Sequence, residues 1–132
     1  TKLPCMNTGG TVGTAAWVFG KTILGIENIA VVGMDLGYYT STPYSNTQTY
    51  YELQEYIKAN KIQNIEDMFP KFSYPLTNTD YYTDPTYYWY RQNLLDLVNG
   101  SNSILYNCTG AGTLFGLGIE CCEIEDFIKN FN

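Results

Sequence analysis

Three groups of residues in this chain have types and spacings that can do chemistry. The first is Asn7-Thr8-Gly9-Gly10-Thr11-Val12-Gly13-Thr14, a glycine-rich turn that opens a helix-like stretch. Helix N-termini offer unpaired N–H groups and a partial positive charge, and Gly9, Gly10 and Gly13 let a phosphate approach the backbone. Thr8, Thr11 and Thr14 add hydroxyls. The second is Asp35, a carboxylate at the end of the aliphatic run Ile29-Ala30-Val31-Val32-Gly33-Met34. It can meet a ribose hydroxyl, orient a substrate or hold a metal ion. The third is Asn107-Cys108-Thr109-Gly110-Ala111-Gly112-Thr113, a glycine turn closing a strand-like stretch. Asn107, Thr109, Gly110 and Gly112 would face a base or phosphate there. Each group has a plainer use as well: helix cap, turn cap and glycine-permitted turn.

Two aromatic stretches add candidates. Tyr87, Tyr88, Trp89 and Tyr90 precede Arg91, the one arginine of the chain. Tyr87 and Arg91 share a helix face, so a ring can stack on a base while the guanidinium pairs with phosphate. The alternative is core aromatics beside a surface arginine. Tyr38, Tyr39 and Tyr44 suggest a lid over the same edge. Glu120, after Gly116 and Gly118, either approaches the cleft or is solvated. With no histidine, a Ser/His/Asp or Cys/His nucleophile set is excluded, and no Walker A spacing is present.

These residues need elements to position them. Apolar residues at Val12, Ala15, Ala16, Val18, Phe19, Ile23 and Leu24 predict a helix over 12–24, stopped by Gly25. The run 29–34 predicts a central parallel strand. Residues 36–46 read as a loop, and 47–60 as a helix burying Tyr51, Leu53, Tyr56 and Ile57. Residues 63–69 read as a short helical turn or a strand followed by one, and 72–85 as irregular, broken by Pro75, Asn78 and Pro85. Asp84-Pro85 then reads as an N-cap and first position of a helix running to Val98 and ending at Gly100. A second buried strand spans 103–107 and a last helix 123–131. The expected class is α/β: a Rossmann-like open parallel sheet with flanking helices in three layers. Two strands make no stable sheet, so further strands must come from loop residues, a preceding segment or a second copy of the chain.

Composition narrows the field. The chain has 132 residues, 45% hydrophobic and 16% aromatic, which suits one domain over 1–132. Net charge is −6, with seven scattered cationic residues. Nucleic acid and anionic membrane surfaces are therefore poor partners. No apolar run reaches the roughly 20 residues of a transmembrane helix. Cys5, Cys108, Cys121 and Cys122 match no zinc spacing and read as reduced, buried thiols, which implies a cytoplasmic protein. Two Asn-X-Ser/Thr triplets, at Asn99 and Asn107, read as chance. The chain starts at Thr1, directly before the first glycine turn, which suggests the C-terminal part of a longer protein.

The block Thr8-Gly9-Gly10-Thr11-Val12-Gly13-Thr14-Ala15-Ala16, Gly25 and the stretch from Ile29 through Asp35-Leu36-Gly37-Tyr38 together resemble a known family. It is the domain-of-unknown-function family that includes the motility-associated factor glycosyltransferases and the 6-hydroxymethylpterin diphosphokinase-like proteins. Asp84-Pro85 to Tyr90-Arg91, the 107–112 turn and Gly118-Ile119-Glu120 resemble its late helix and closing loop. The resemblance covers most of 7–131. It implies a Rossmann-like fold, and Gly9, Gly10, Thr11, Asp35 and 107–112 near a nucleotide or donor. Thr11 stands where relatives often carry asparagine, and Gly110 where they often carry glutamate. A histidine common downstream of the aspartate has no counterpart. The expected function is transfer from a nucleotide-activated donor, most simply a nucleotide sugar, to a protein or pterin acceptor. An ATP- and Mg²⁺-dependent diphosphokinase, with Asp35 as metal ligand, and a non-catalytic binding domain are the alternatives.

Overall fold

A computed structural model describes residues 5–61 and 64–131. Helix α1 (Val12–Val18) starts at Thr11, whose extended backbone turns its hydroxyl back to accept the Thr14 N–H at 3.0 Å. The helix widens into a π-turn, Phe19–Ile23, and stops before Gly25, where φ is +68°.

The first sheet is parallel throughout. Strand β1 (Ala30–Val31) pairs with β5 (Leu105–Asn107), and β5 pairs with β6 (Ile119–Cys121), in the order β1-β5-β6. The third strand thus comes from the stretch after the second glycine turn. The run 29–34 forms an edge strand, not the expected central one. Gly33 at φ +74° turns the chain out of the sheet after Val31, and Val32 is left 68% exposed. The centre is β5, with Leu105 fully buried among Trp17, Val18, Leu94, Val98 and Leu114.

A second, antiparallel sheet is not anticipated by the sequence pattern. It orders β2 (Tyr38–Tyr39), β4 (Thr79–Tyr82) and β3 (Lys71–Tyr74) as β2-β4-β3. Pro75 and Asn78 do not break this region; they lie between the two strands of its hairpin. Asn78 takes φ +54° and donates its N–H to the Tyr74 carbonyl at 2.8 Å. Helix α2 (Tyr50–Asn60) meets this sheet through Leu53, which clusters with Phe69 and Tyr82. Tyr51 and Tyr56 stay 73% and 53% exposed, so α2 buries a narrower stripe than expected. The short turn after it is a 3₁₀ segment, Ile65–Met68, capped by Asn64; Gln63 lies outside the described residues.

Helix α3 (Pro85–Gly100) follows the expected cap. The Asp84 carboxylate is fully buried and accepts the Tyr87 N–H at 2.8 Å. Helix α4 (Ile124–Phe131) lays Phe127 and Phe131 on Tyr106, with ring centres 5.2 and 4.9 Å apart. All four cysteines are free thiols. Cys5 is exposed, not buried, and the Cys108 and Cys122 sulfurs lie 3.6 Å apart. Among the described residues no helix is long and apolar enough to cross a membrane.

Burial here has a consequence for pH. It pushes the Cys108 thiol up to about 12, helped by its contact with Cys122. It also raises the hydroxyls of Tyr38, Tyr74, Tyr81, Tyr82 and Tyr106. An acid whose folded pKa lies above its unfolded value leaves the unfolded state with fewer protons once pH passes the unfolded value. Stability therefore falls with rising pH. The fold should hold full stability at neutral pH and lose it progressively from about pH 9 to 12. Melting scans across that window check this; a flat profile would contradict it. Each kcal/mol lost should lower Tm by about 4 °C.

Candidate functional site

The carboxyl end of β1, the start of α1 and the first turns of α3 enclose a cleft of about 580 Å³. Its floor is the backbone 29–37, and its walls include Thr11, Gly13, Tyr38, Tyr87 and Tyr90. Asp35, an exposed residue, lines it and also lines a small hollow beside Tyr39 and Tyr81. Tyr38 is held between Tyr82 and Tyr87, each with ring centres 5.4 Å away. Its hydroxyl donates to Asp84 Oδ2 at 3.0 Å and accepts the Gln48 N–H at 3.2 Å. Burial pushes the Tyr38 pKa up, against the Gln48 N–H, so the phenol stays protonated at neutral pH. Tyr38 is therefore a fixed wall and no general base.

The expected binding residues divide into three sets. Thr11, Gly13, Asp35 and Tyr38 line the cleft together. Thr11, however, uses its hydroxyl within α1, accepting from the Thr14 N–H and pairing with Thr14 Oγ1 at 2.9 Å. Gly9 and Gly10 line a neighbouring hollow of about 490 Å³, beside Trp89 and Asn93.

The third set does not reach the cleft. Asn107 is fully buried, donating Nδ2 to the Leu114 carbonyl at 2.7 Å and accepting the Thr109 N–H at 3.0 Å. An amide so enclosed serves the backbone and is out of reach of a base or phosphate. Thr109 Oγ1 accepts the Met34 N–H at 3.1 Å. Gly110 sits exposed at φ +77° with open space around it. Gly112, at φ +86°, lies flat against the backbone of Asp35. The second glycine turn is a buttress behind Asp35. Thr113 completes it: its N–H meets the Asp35 carbonyl at 2.8 Å, and its hydroxyl meets the Leu36 carbonyl at 2.7 Å. The Thr83 hydroxyl reaches the same Leu36 carbonyl at 2.8 Å.

A Cβ on Gly112 would lie 2.6 Å from the Asp35 Cα. Gly112→Ala should cost about 1–3 kcal/mol from the positive φ and more from the clash. It should also displace Asp35. Urea unfolding measures the first, and loss of ligand response in the folded fraction measures the second.

Arg91 is also elsewhere. It is 7% exposed and points away from the cleft, donating Nε to the Thr113 carbonyl at 2.7 Å and Nη2 to the Phe115 carbonyl at 2.6 Å. Its guanidinium carbon lies 4.7 Å above the Phe72 ring. Burial pulls its pKa down. It clamps the loop 113–115 and is not among the residues lining the cleft. Tyr39 and Tyr44 form no lid: Tyr39 tilts on Tyr81 at 5.2 Å and Tyr44 stacks on Phe69 at 4.2 Å. Glu120 is exposed on β6, outside the cleft.

Sequence reasoning missed how the cleft is held: Asp84 fixing Tyr38, and Thr83 and Thr113 converging on Leu36. Only Asp84 carried a signal, as a helix cap. Among the described residues, Asp35 is the one carboxylate residue lining the cleft. A Mg²⁺ there would be held mostly by nucleotide phosphates with Asp35 as a single protein ligand, an ordinary arrangement for that ion. Among the described residues no three Cys, Asp or Glu side chains gather as a metal set. No family model matches the chain, and no curated protein or solved structure is significantly similar to it.

Proposed function

We propose that the cleft takes the nucleotide end of an activated donor and that the protein is a transferase of the glycosyltransferase type. One observation carries this. An exposed carboxylate residue, Asp35, four positions beyond the end of the parallel strand β1, lines the same cleft as Tyr87 and Tyr90. Such sheet edges are where open α/β folds bind ligands. We take the parallel sheet as part of a Rossmann-like, three-layer arrangement. The base packs on Tyr87 and Tyr90, and Asp35 accepts hydrogen bonds from ribose or sugar hydroxyls. The start of α1, at Thr11 and Gly13, faces the phosphate as it departs, and its dipole supplies the electrostatic stabilisation. The bond from the anomeric carbon to the phosphate oxygen breaks, a hydroxyl oxygen of a protein or pterin acceptor bonds to that carbon, the nucleoside phosphate leaves with the bonding electrons, and the hydroxyl proton passes to solvent. Reduced thiols at Cys108, Cys121 and Cys122 suit a cytoplasmic setting.

The cleft-lining residues include no lysine or arginine among the described residues. That favours a donor with one or two phosphates over ATP, whose triphosphate would ask for Mg²⁺. A non-catalytic binding domain is the second reading, favoured by the occupied Thr11 hydroxyl and the inward-turned Asn107.

Thermal stabilisation of the full protein by CMP, UDP, GDP and ATP, each with and without Mg²⁺, separates the three. A nucleoside mono- or diphosphate should stabilise it by about 2.7 kcal/mol at a hundredfold excess over Kd, indifferent to metal. A response to ATP with Mg²⁺ alone would make the diphosphokinase the better account. No response to any nucleotide would leave the non-catalytic domain.

A further inference from the structure

The hollow beside the first glycine turn has its own chemistry. Trp89, Asn93 and Asp96 follow one another at i, i+4 and i+7 on α3, which puts them on one face. With Asn7, Gly9 and Gly10 they line about 490 Å³, a volume within the roughly 300–1,000 Å³ of small-ligand pockets. Trp89 is 56% exposed, whereas the other tryptophan, Trp17, is 3% exposed in the core. The Trp89 ring rests on Gly10, where any Cβ would lie 2.6 Å from its Cζ3. Gly10 itself needs glycine, at φ +92°. The indole thus packs against the Gly10 backbone while leaving more than half of its surface exposed.

The polar groups around it are mixed and only partly used. Asn93 Nδ2 donates to the Gly9 carbonyl at 3.4 Å, and Asn7 Oδ1 accepts the Gly9 N–H at 3.1 Å. Asp96 is exposed and pairs with no cation among the described residues. An aromatic face flanked by a carboxylate and two amides suits a ligand with one apolar C–H face and a rim of hydroxyls. The hydroxyls can both donate to Asp96 and exchange bonds with the amides. A phosphate-led ligand would face Asp96 in a chain of net charge −6. A quaternary ammonium prefers a cage of several rings, and among the described residues one ring, Trp89, lines the hollow.

We infer that this hollow is a saccharide-binding site, separate from the Asp35 cleft. The two share a wall: Trp89 and Tyr90 have ring centres 5.5 Å apart, and Tyr90 faces the cleft. As a sugar site it stands on its own residues. As the acceptor subsite of a transferase it rests on the function proposed above.

Saturation-transfer NMR on the full protein tests it, with the methyl glycosides of glucose, galactose, mannose and N-acetylglucosamine, and tetramethylammonium for comparison. At least one glycoside should receive saturation on its ring C–H protons and change the tryptophan emission. Trp89→Ala and Asp96→Asn should each weaken that glycoside by about tenfold or more, with Tm unchanged. The site is overturned if no glycoside binds, if both variants bind as the parent does, or if tetramethylammonium binds in preference. CMP or UDP should not displace the glycoside. Loss of glycoside binding with nucleotide stabilisation intact removes only the saccharide site; the reverse removes only the nucleotide cleft.

Discussion

Arg91→Met should remove about 1–3 kcal/mol of unfolding free energy. Domains of this size are stable by on the order of 5–15 kcal/mol, so the loss is a sizeable share of the total. Methionine keeps the apolar stem and its contact with Phe72. It loses both donors: the Thr113 carbonyl keeps the Phe115 N–H, while the Phe115 carbonyl is left without the guanidinium. An acceptor orphaned in a buried site costs about 1–3 kcal/mol. Burying a guanidinium also carries a desolvation cost, which methionine relieves. The relief is limited because the charge already rests on Phe72 and two carbonyl dipoles. Arg91→Lys should recover less than half of the loss, since one ammonium cannot reproduce the planar fork that reaches both carbonyls. Chemical denaturation of the three proteins gives the comparison. A neutral Arg91→Met would mean that water reaches the Phe115 carbonyl. Nucleotide binding by the folded fraction should survive, because Arg91 lies off the cleft; its selective loss would restore Arg91 as a phosphate ligand.

Arg91 also shows where sequence reading reaches its limit. Spacing correctly puts it one turn after Tyr87, yet the two residues diverge in role. Tyr87 meets the cleft, while 113–115 crosses α3 at Arg91 and takes the guanidinium. Which loop crosses a helix is a tertiary fact with no period in the chain. Asp84-Pro85 was legible because a cap is local: the side chain that accepts the Tyr87 N–H lies three residues away. The parallel pair β1 and β5 was legible from aliphatic runs. Strand β6 was not, because Ile119–Cys121 is too short to show a pattern and follows two glycines. The hairpin of β3 and β4 was hidden by its own turn, since Pro75 and Asn78 look like breakers until the strands around them pair.

The second glycine turn is the sharpest case. Glycines that admit a phosphate and glycines that admit a neighbouring backbone are the same glycines. Gly112 is filled by Asp35, and Thr109 and Thr113 spend their bonds on Met34 and Leu36. The loop expected to touch a ligand instead fixes the residue that can. That shifts the chemical weight of the site onto Asp35.

Asp35→Ala should therefore leave stability unchanged within about 0.5 kcal/mol, as for an exposed side chain. The contacts that shape its loop are made by its backbone: its carbonyl accepts the Thr113 N–H, and that bond survives truncation. Function should respond differently. A carboxylate accepting hydrogen bonds from a ribose or sugar contributes about 1.5–3 kcal/mol, which is about 10- to 150-fold in affinity or rate. The split between the constants is informative. A contact held equally before and during transfer raises KM and spares kcat; one that tightens as the sugar–phosphate bond stretches lowers kcat. If Asp35 meets the transferred sugar, as the proposed function has it, the fall should appear mainly in kcat; if it meets the ribose, mainly in KM. Glu120→Gln, a carboxylate removed from an exposed site on β6, should change neither constant. If Asp35→Ala transfers sugar as the parent does, Asp35 is a solvated turn residue. If it binds nucleotide as the parent does and neither protein transfers anything, the chain is a binding domain.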